Sequence, residues 1–241
     1  KIFDPLVYFI MCPLKIKKTH IIFASTSEVF GKNPSKNWKE NSDRLTGSSD
    51  ISRWSYSVSK NVCEHLYFAY FKKYNNPFTI VRFFNAYGPR VRTTGAYGAV
   101  IGVFFKQKIE KKPLTIVGNG KQTRDFVYVT DVVRAFYAAA KTKLSGRIYN
   151  VGTGKQQSVN HLANLVGGQI ITIPDRPGEP KNSSADVRKI KRELRWEPLV
   201  KFDDGIKHML ENLNRWKDAP LWTPKKIKIV THNWFKYLKK K

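Results

Sequence analysis

The sequence predicts an α/β fold organised around a parallel sheet, on two observations. Short apolar runs that read as strands (His20 to Ala24, Phe78 to Phe83, Leu114 to Val117, Arg147 to Val151, Ile170 to Ile173) alternate with longer segments of helical periodicity. That alternation is the pattern of a parallel sheet covered by helices. Turn residues mark several joints, among them Asn75-Asn76-Pro77, Gly88-Pro89 and Asp175-Arg176-Pro177-Gly178. With 241 residues and 41% hydrophobic content, the chain has material for a sizeable core in one or two domains.

The elements follow in order. His20 to Ala24 is a buried strand bounded by Ser25 and Thr26. Gly31 to Asp50 is polar, rich in Lys, Asn and Ser, and reads as an exposed loop. A helix runs from about Ser52 or Trp54 to Tyr74, with Val58, Val62, Leu66 and Ala69 spaced for a core face. Asn75-Asn76-Pro77 stops it. After the strand Phe78 to Phe83, helices are expected at Ala99 to Ile109, Asp131 to Lys141, Ser158 to about Val166, Asp186 to Leu194 and Asp203 to Trp216. Gly118-Asn119-Gly120-Lys121 and Gly152-Thr153-Gly154-Lys155 look superficially like phosphate loops. Each lacks the earlier Gly and has Gln after the Lys, so both read as turns. Beyond Lys217, Thr223-Pro224 reads as a helix start, with Ile227, Val230, Trp234 and Leu238 on one face ahead of Lys239-Lys240-Lys241. Such a helix packs on the body or on a second subunit; a basic amphipathic helix also suits an anionic membrane.

Composition sets bounds on function. A net charge of +26, from 44 basic and 18 acidic residues, raises nucleic-acid binding as a question. No recognition motif is present and the lysines are spread through the chain, so a lysine-rich surface is the reading and no nucleic-acid partner is expected. No apolar run is long enough to span a membrane, and the apolar stretch Phe3 to Leu14 contains Asp4, Pro5 and Pro13 with no small-residue cleavage site after it. Cys12 and Cys63 form no metal or redox spacing, which points to a reduced, cytoplasmic setting. The five histidines are scattered, and no metal site is expected.

One stretch carries candidate chemistry: Arg53-Trp54-Ser55-Tyr56-Ser57-Val58-Ser59-Lys60. On a helix, Tyr56 and Lys60 share one face about one turn apart. An ammonium near a phenol lowers its pKa, and a Tyr so adjusted can act as a general base on a hydroxyl. Ligands of an open parallel sheet sit beyond the carboxyl ends of its strands. Thr26 and Glu28 fall at one such end, and Asn85 to Arg90 at another.

Five further motifs occur in order: Ile21 to Gly31 (IIFASTSEVFG), Val81 to Arg90 (VRFFNAYGPR), Gly120 to Val129 (GKQTRDFVYV), Tyr149 to Gly154 (YNVGTG) and Arg176-Pro177-Gly178-Glu179-Pro180. With the Tyr56/Lys60 stretch, the chain from about residue 20 to about 210 resembles the extended short-chain dehydrogenase/reductase family, the NAD-dependent nucleotide-sugar epimerases and dehydratases. The resemblance implies a Rossmann-like doubly wound sheet with a smaller α/β substrate-binding lobe. It divides the chain into a dinucleotide-binding part at 1–88, onto which residues of about 123–155 pack back, a lobe at 89–216, and a basic C-terminal helix at 217–241. It implies that Tyr56 takes the proton of the sugar 4-hydroxyl, that Lys60 lowers its pKa, and that Thr26 joins their proton network. Glu28 becomes the further acid/base of a dehydratase or decarboxylase. The dTDP-glucose dehydratases carry an Asp where Ser27 stands, which disfavours that class. NAD is implied as cofactor, held by Tyr56, Lys60, Phe83 and Ser25. A nucleotide-sugar is implied as substrate, held by Thr26, Asn85, Arg90, Val100, Arg124 and Arg176. A homodimer through the helix carrying Tyr56 and its neighbour is implied as well.

The family's fold opens with a Gly-x-x-Gly-x-x-Gly turn, about a hundred residues before the strand that Ile21 begins. Twenty residues precede Ile21 here, and the motif occurs nowhere in the chain. The expectation is a truncated member or a fragment of a longer one. Three activities remain open in the order epimerase, 4,6-dehydratase, UDP-glucuronate decarboxylase, beside a non-catalytic chain whose missing half-sheet another chain supplies.

Overall fold

The computed structural model describes residues 19–51, 53–91, 100–175, 181–230 and 232. Its centre is a three-stranded parallel sheet in which β1 (Ile21–Thr26) pairs with β2 (Phe78–Phe83), and β2 with β7 (Arg147–Val151). Strand parity divides the two faces. Ile21, Phe23, Phe78, Ile80 and Ile148 pack with Tyr67, Tyr70 and Phe71 of helix α1 (Trp54–Tyr74). Their neighbours Ile22, Val81, Phe83, Tyr149 and Val151 pack with Val132, Ala135 and Phe136 of helix α3 (Val129–Lys141). Helices therefore cover both faces, as a parallel sheet requires.

A second core gathers the elements between. Helix α2 (Val100–Ile109), strand β4 (Leu114–Val117), helix α4 (Val159–Val166) and helix α6 (Phe202–Leu210) enclose Phe104, Phe105, Leu114, Leu162 and Met209. Short two-stranded pairings tie this region together: β3 (Asn85–Tyr87) with β6 (Phe126–Tyr128), β4 with β9 (Ile170–Ile173), and β5 (Thr123–Arg124) with β8 (Gln157–Ser158). Helix α5 (Arg188–Leu194) packs against β7. Helix α7 (Pro224–Val230) starts on Thr223, whose hydroxyl accepts from Lys226 N at 3.3 Å, and buries Ile227. Trp234 and Leu238 of its expected stripe lie outside the described residues.

The structure corrects four readings. The inward face of α1 carries Trp54, Ser57, Cys63, Glu64 and Tyr67, whereas Val58 is 41% exposed and Ala69 is exposed too. The polar stretch 31–50 is not wholly an exposed loop. Trp38 is buried against Phe30 and Phe84, at ring distances of 5.0 and 6.0 Å, and its amide donates to Ser184 O. The helix expected over Asp203 to Trp216 breaks after Leu210. A 3-10 turn, Leu213–Trp216, follows and drops Trp216 edge-on onto Phe105. Asp186 precedes α5 rather than starting it, and its carboxylate accepts from Arg188 N at 3.0 Å.

Candidate active site

At the carboxyl end of β1 the backbone turns into a 3-10 turn, Ser27–Phe30. Thr26 caps that turn: its hydroxyl oxygen accepts from Glu28 N at 3.2 Å. The same side chain lies beside the Tyr56 phenol and pulls its pKa down. Tyr56 lies on the first turn of α1 and is 53% exposed, open to a ligand from the solvent side. Burial of part of the ring outweighs this and raises the pKa above the ordinary value, and the Glu28 charge pushes it up as well. Glu28 faces Arg53 at 3.8 Å, across the mouth between β1 and α1.

Lys60 is one helical turn beyond Tyr56, as the spacing requires, but its ammonium points to the strand. Its Nζ donates to Ala24 O at 2.9 Å and sits 4.8 Å from the Phe23 ring centroid. The expected lowering of the Tyr56 pKa by Lys60 is therefore not what the structure shows: the phenol is raised. The ammonium is spent on a strand carbonyl instead.

The other expected contacts divide. Asn85 opens β3, half-buried, and its amide donates to Asp125 O at 3.2 Å, joining the end of β2 to the start of β6. Arg124, half-buried on β5, donates to Thr123 O at 2.9 Å. Arg90 is exposed in the turn after β3. Val100 packs on the second core, and Phe83 packs on Phe136 with ring centroids 5.0 Å apart. Arg176 lies outside the described residues. Ser25 turns away from the site: its hydroxyl is 3% exposed and donates to Glu64. Strand parity decides this, because Ser25 follows Ile21 and Phe23 onto the α1 face.

Geometry of this kind has counterparts. The chain matches the GDP-mannose 4,6 dehydratase family over residues 9–209. It belongs to the extended short-chain dehydrogenases/reductases, the NAD-dependent nucleotide-sugar epimerases and dehydratases. A UDP-N-acetyl-alpha-D-glucosaminuronate decarboxylase of Bacillus cytotoxicus is 36% identical over 221 residues, which cover 87% of this chain and 68% of that protein. Among solved structures, the UDP-N-acetylglucosamine 4-epimerase of Methanobrevibacter ruminantium superposes with a TM-score of 0.79 at 26% identity, covering 86% of this chain and 67% of that one. The UDP-glucuronic acid 4-epimerase of Bacillus cereus, solved with UDP-glucuronic acid and NAD, gives 0.76 at 31%, covering 88% and 69%. The chain spans 68%, 60% and 45% of the length of three curated relatives. Here Thr26, Tyr56 and Lys60 lie together about the carboxyl end of β1.

Sequence reasoning missed the residues behind that group. Glu64 is 1% exposed and Arg82 0%. Arg82 grips the carboxylate with Nε at 3.0 Å and Nη2 at 2.7 Å, and Arg44 adds Nη2 at 2.6 Å. Burial alone would raise the Glu64 pKa; the two guanidiniums and Ser25 overcome it and hold it below the usual carboxylate range. Asp125, fully buried, accepts from Thr153 N, Thr153 Oγ1, Gly154 N and Ala185 N, so the Gly152-Thr153-Gly154 turn is fixed by a carboxylate. A signal existed: Arg82 is the one charged residue of Phe-Thr-Ile-Val-Arg-Phe, and a charge inside an apolar strand demands a buried partner.

Proposed function

We propose that this chain carries the catalytic part of a nucleotide-sugar 4-epimerase that works through a 4-keto sugar. One observation carries the reading: the half-exposed Tyr56 phenol lies beside the Thr26 side chain at the carboxyl end of β1, with Lys60 one turn away. Tyr56, as phenolate, takes the proton of the sugar 4-hydroxyl. Thr26 holds both the hydroxyl and the phenol in line. Lys60, freed from Ala24 O, turns to Tyr56 and stabilises the phenolate. Return of the proton from Tyr56 after the sugar has turned over gives the epimer. NAD, when bound, supplies the acceptor and donor of the hydride at C4. Lys60 and Tyr56, with the Phe83 backbone at the same level of the sheet, would hold its nicotinamide ribose. Ser25, turned to Glu64, has no free hydroxyl for it.

Glu28 favours a second reading. A carboxylate facing Arg53 at the same mouth is placed for the extra proton transfer of decarboxylation on a nucleotide-uronate, or of a 4,6-dehydratase. Asn85, Arg90, Arg124 and Arg176 are proposed for the diphosphate side, since guanidiniums pair well with phosphates, and Val100 for the base. Residues 1–88, 89–216 and 217–241 are proposed as nucleotide-binding part, substrate lobe and terminal helix, with the whole protein acting in the cytoplasm. The outward stripe of α1, with Val58 and Phe68 41% and 39% exposed, is proposed to pair two copies.

Thermal unfolding tests the function with UDP-glucose, UDP-glucuronic acid and dTDP-glucose, each with and without NAD, followed by chromatography of the nucleotide-sugar. A ligand at about a hundred times its Kd adds about 2.7 kcal/mol of stability. Stabilisation by a nucleotide-sugar and conversion to its C4 epimer are expected. A pentose product with released carbon dioxide, or a 4-keto-6-deoxy product, would overturn the epimerase in favour of the second reading.

A further inference from the structure

Behind Tyr56 lies a charge cluster that the proposed reaction does not use. Glu64 is two turns along α1 from Tyr56 and one from Lys60, on the stripe that faces the sheet. Its carboxylate receives four side-chain donors from three other segments. Ser25 Oγ comes from β1, Arg82 Nε and Nη2 from β2, and Arg44 Nη2 from the loop after the 3-10 turn. Ser25 and Arg82 are register partners across β1 and β2, so the carboxylate bridges two strands at one level. Arg82 Nη1 also donates to Glu40 O at 2.8 Å, which draws the same loop down. The level matters, because the next residue of β1 is Thr26, the partner of Tyr56.

We propose that Glu64 is a positioning residue of this site: by clamping Ser25 and Arg82 it fixes the carboxyl end of β1 against α1, and so sets the contact between Thr26 and Tyr56. The clamp suits this task for a physical reason. Apolar packing of a helix on a sheet tolerates sliding by fractions of an ångström, whereas a bidentate guanidinium–carboxylate pair fixes both distance and direction. The pair alone would tie α1 to β2. Of the groups on the Glu64 carboxylate, only the Ser25 hydroxyl belongs to the strand that ends in Thr26; Lys60 Nζ ties α1 to that strand separately, at Ala24 O. Ser25→Ala therefore cuts the transmission and leaves the ion pair in place. The inference rests on the proposed role of Tyr56, and its first readout needs no turnover.

The experiment labels tyrosine at the ring Cζ with carbon-13 and follows its chemical shift against pH, with Tyr56 assigned from Tyr56→Phe. Ser25→Ala and Glu64→Gln are compared with the unchanged chain and with Phe105→Leu, a substitution in the other core. Loosening the contact with Thr26 removes a downward influence on the phenol, so the Tyr56 midpoint is expected to rise by about half a unit or more in Ser25→Ala. Phe105→Leu should lower the unfolding temperature and leave that midpoint in place. If turnover of a nucleotide-sugar is found, Ser25→Ala should lower kcat with KM kept. A Tyr56 midpoint in folded Ser25→Ala equal to that of the unchanged chain overturns the inference, even should Glu64→Gln fail to fold. A moved midpoint in a chain that turns over no nucleotide-sugar upholds the clamp and refutes the function instead.

Discussion

Replacing Glu64 by Gln removes one charge from the most buried ion pair among the described residues. Arg82 is 0% exposed and would keep the Glu40 carbonyl at 2.8 Å for Nη1. Its Nε and Nη2 would then face an amide with one acceptor oxygen, while the amide nitrogen would point a donor at Arg44, Arg82 or Ser25. Breaking a buried pair from one side costs about 3–5 kcal/mol, because the remaining charge is left without compensation. Arg44 is 21% exposed and regains water, so its share is discounted and about 3 kcal/mol is the working figure. With a urea slope of about 2 kcal/mol/M, the midpoint should fall by about 1.5 M. Circular dichroism across a urea series reads it directly. The double variant Glu64→Leu with Arg82→Met removes both charges and should recover part of the loss, since an apolar pair of like volume leaves no bare charge. A Glu64→Gln midpoint within about 0.3 M urea of the unchanged chain would refute the reasoning, because it would mean that the pair contributes little to the folded state.

Acid provides a second test of the same group. The Glu64 pKa is lowered from an ordinary 4.5, so its contribution is present above about pH 4.5 and is lost as pH falls through the folded value. The stability gap between the unchanged chain and Glu64→Gln, read by urea unfolding at pH 7 and pH 3, should narrow at the lower pH. Gly31→Ala should destabilise by about 2 kcal/mol or more, since Gly31 has φ of +60° and a Cβ there would collide with Leu45 O. A urea midpoint unchanged in that variant would show that the loop after the 3-10 turn relaxes freely. Tyr56→Phe should keep stabilisation by nucleotide-sugar and lose at least about a hundredfold in turnover. If two copies pair on the outward side of α1, Val58→Asp should shift sedimentation velocity from dimer to monomer; a dimer that persists in the variant, or a monomer in the unchanged chain, would refute that pairing.

Much of the fold was legible because the strands are short apolar runs between turn residues, and each expected strand is found. Of the candidate site, the placement was legible: Thr26 stands at a strand end and Tyr56 on the first turn of the next helix, beside it. Three things were not legible. The direction of the Lys60 ammonium depends on a strand carbonyl 36 positions away, and no spacing rule reports that. The resemblance implies a cofactor contact for Ser25, although alternation along β1 sends its hydroxyl to the α1 face and onto Glu64. Trp38 looked exposed because its neighbours are polar, yet one large aromatic ring gains enough by burial to pull a polar segment onto the core.

The rotation of α1 has the same origin as the clamp. Periodicity placed Val58, Val62, Leu66 and Ala69 inward because apolar residues normally seek the sheet. The sheet that α1 meets is apolar only at its amino half, where Phe78 and Ile80 pack on Tyr67 and Phe71. At its carboxyl half the inward-pointing residues of β1 and β2 are Ser25 and Arg82, and these recruit Glu64; the buried Ser57 hydroxyl of the same stripe donates to Trp54 O. A helix crossing such a sheet must change character along its length, and one hydrophobic stripe cannot describe it. The orientation is instead decided by the most costly group to leave unpaired, the Arg82 guanidinium. Once Glu64 is turned to that charge, Lys60 is carried to the β1 carbonyl and Tyr56 to Thr26 by the helical repeat alone. The buried pair thus orients the helix face that carries Tyr56 and Lys60; of the expected apolar stripe, Val58 and Ala69 are left exposed while Leu66 still packs on the sheet.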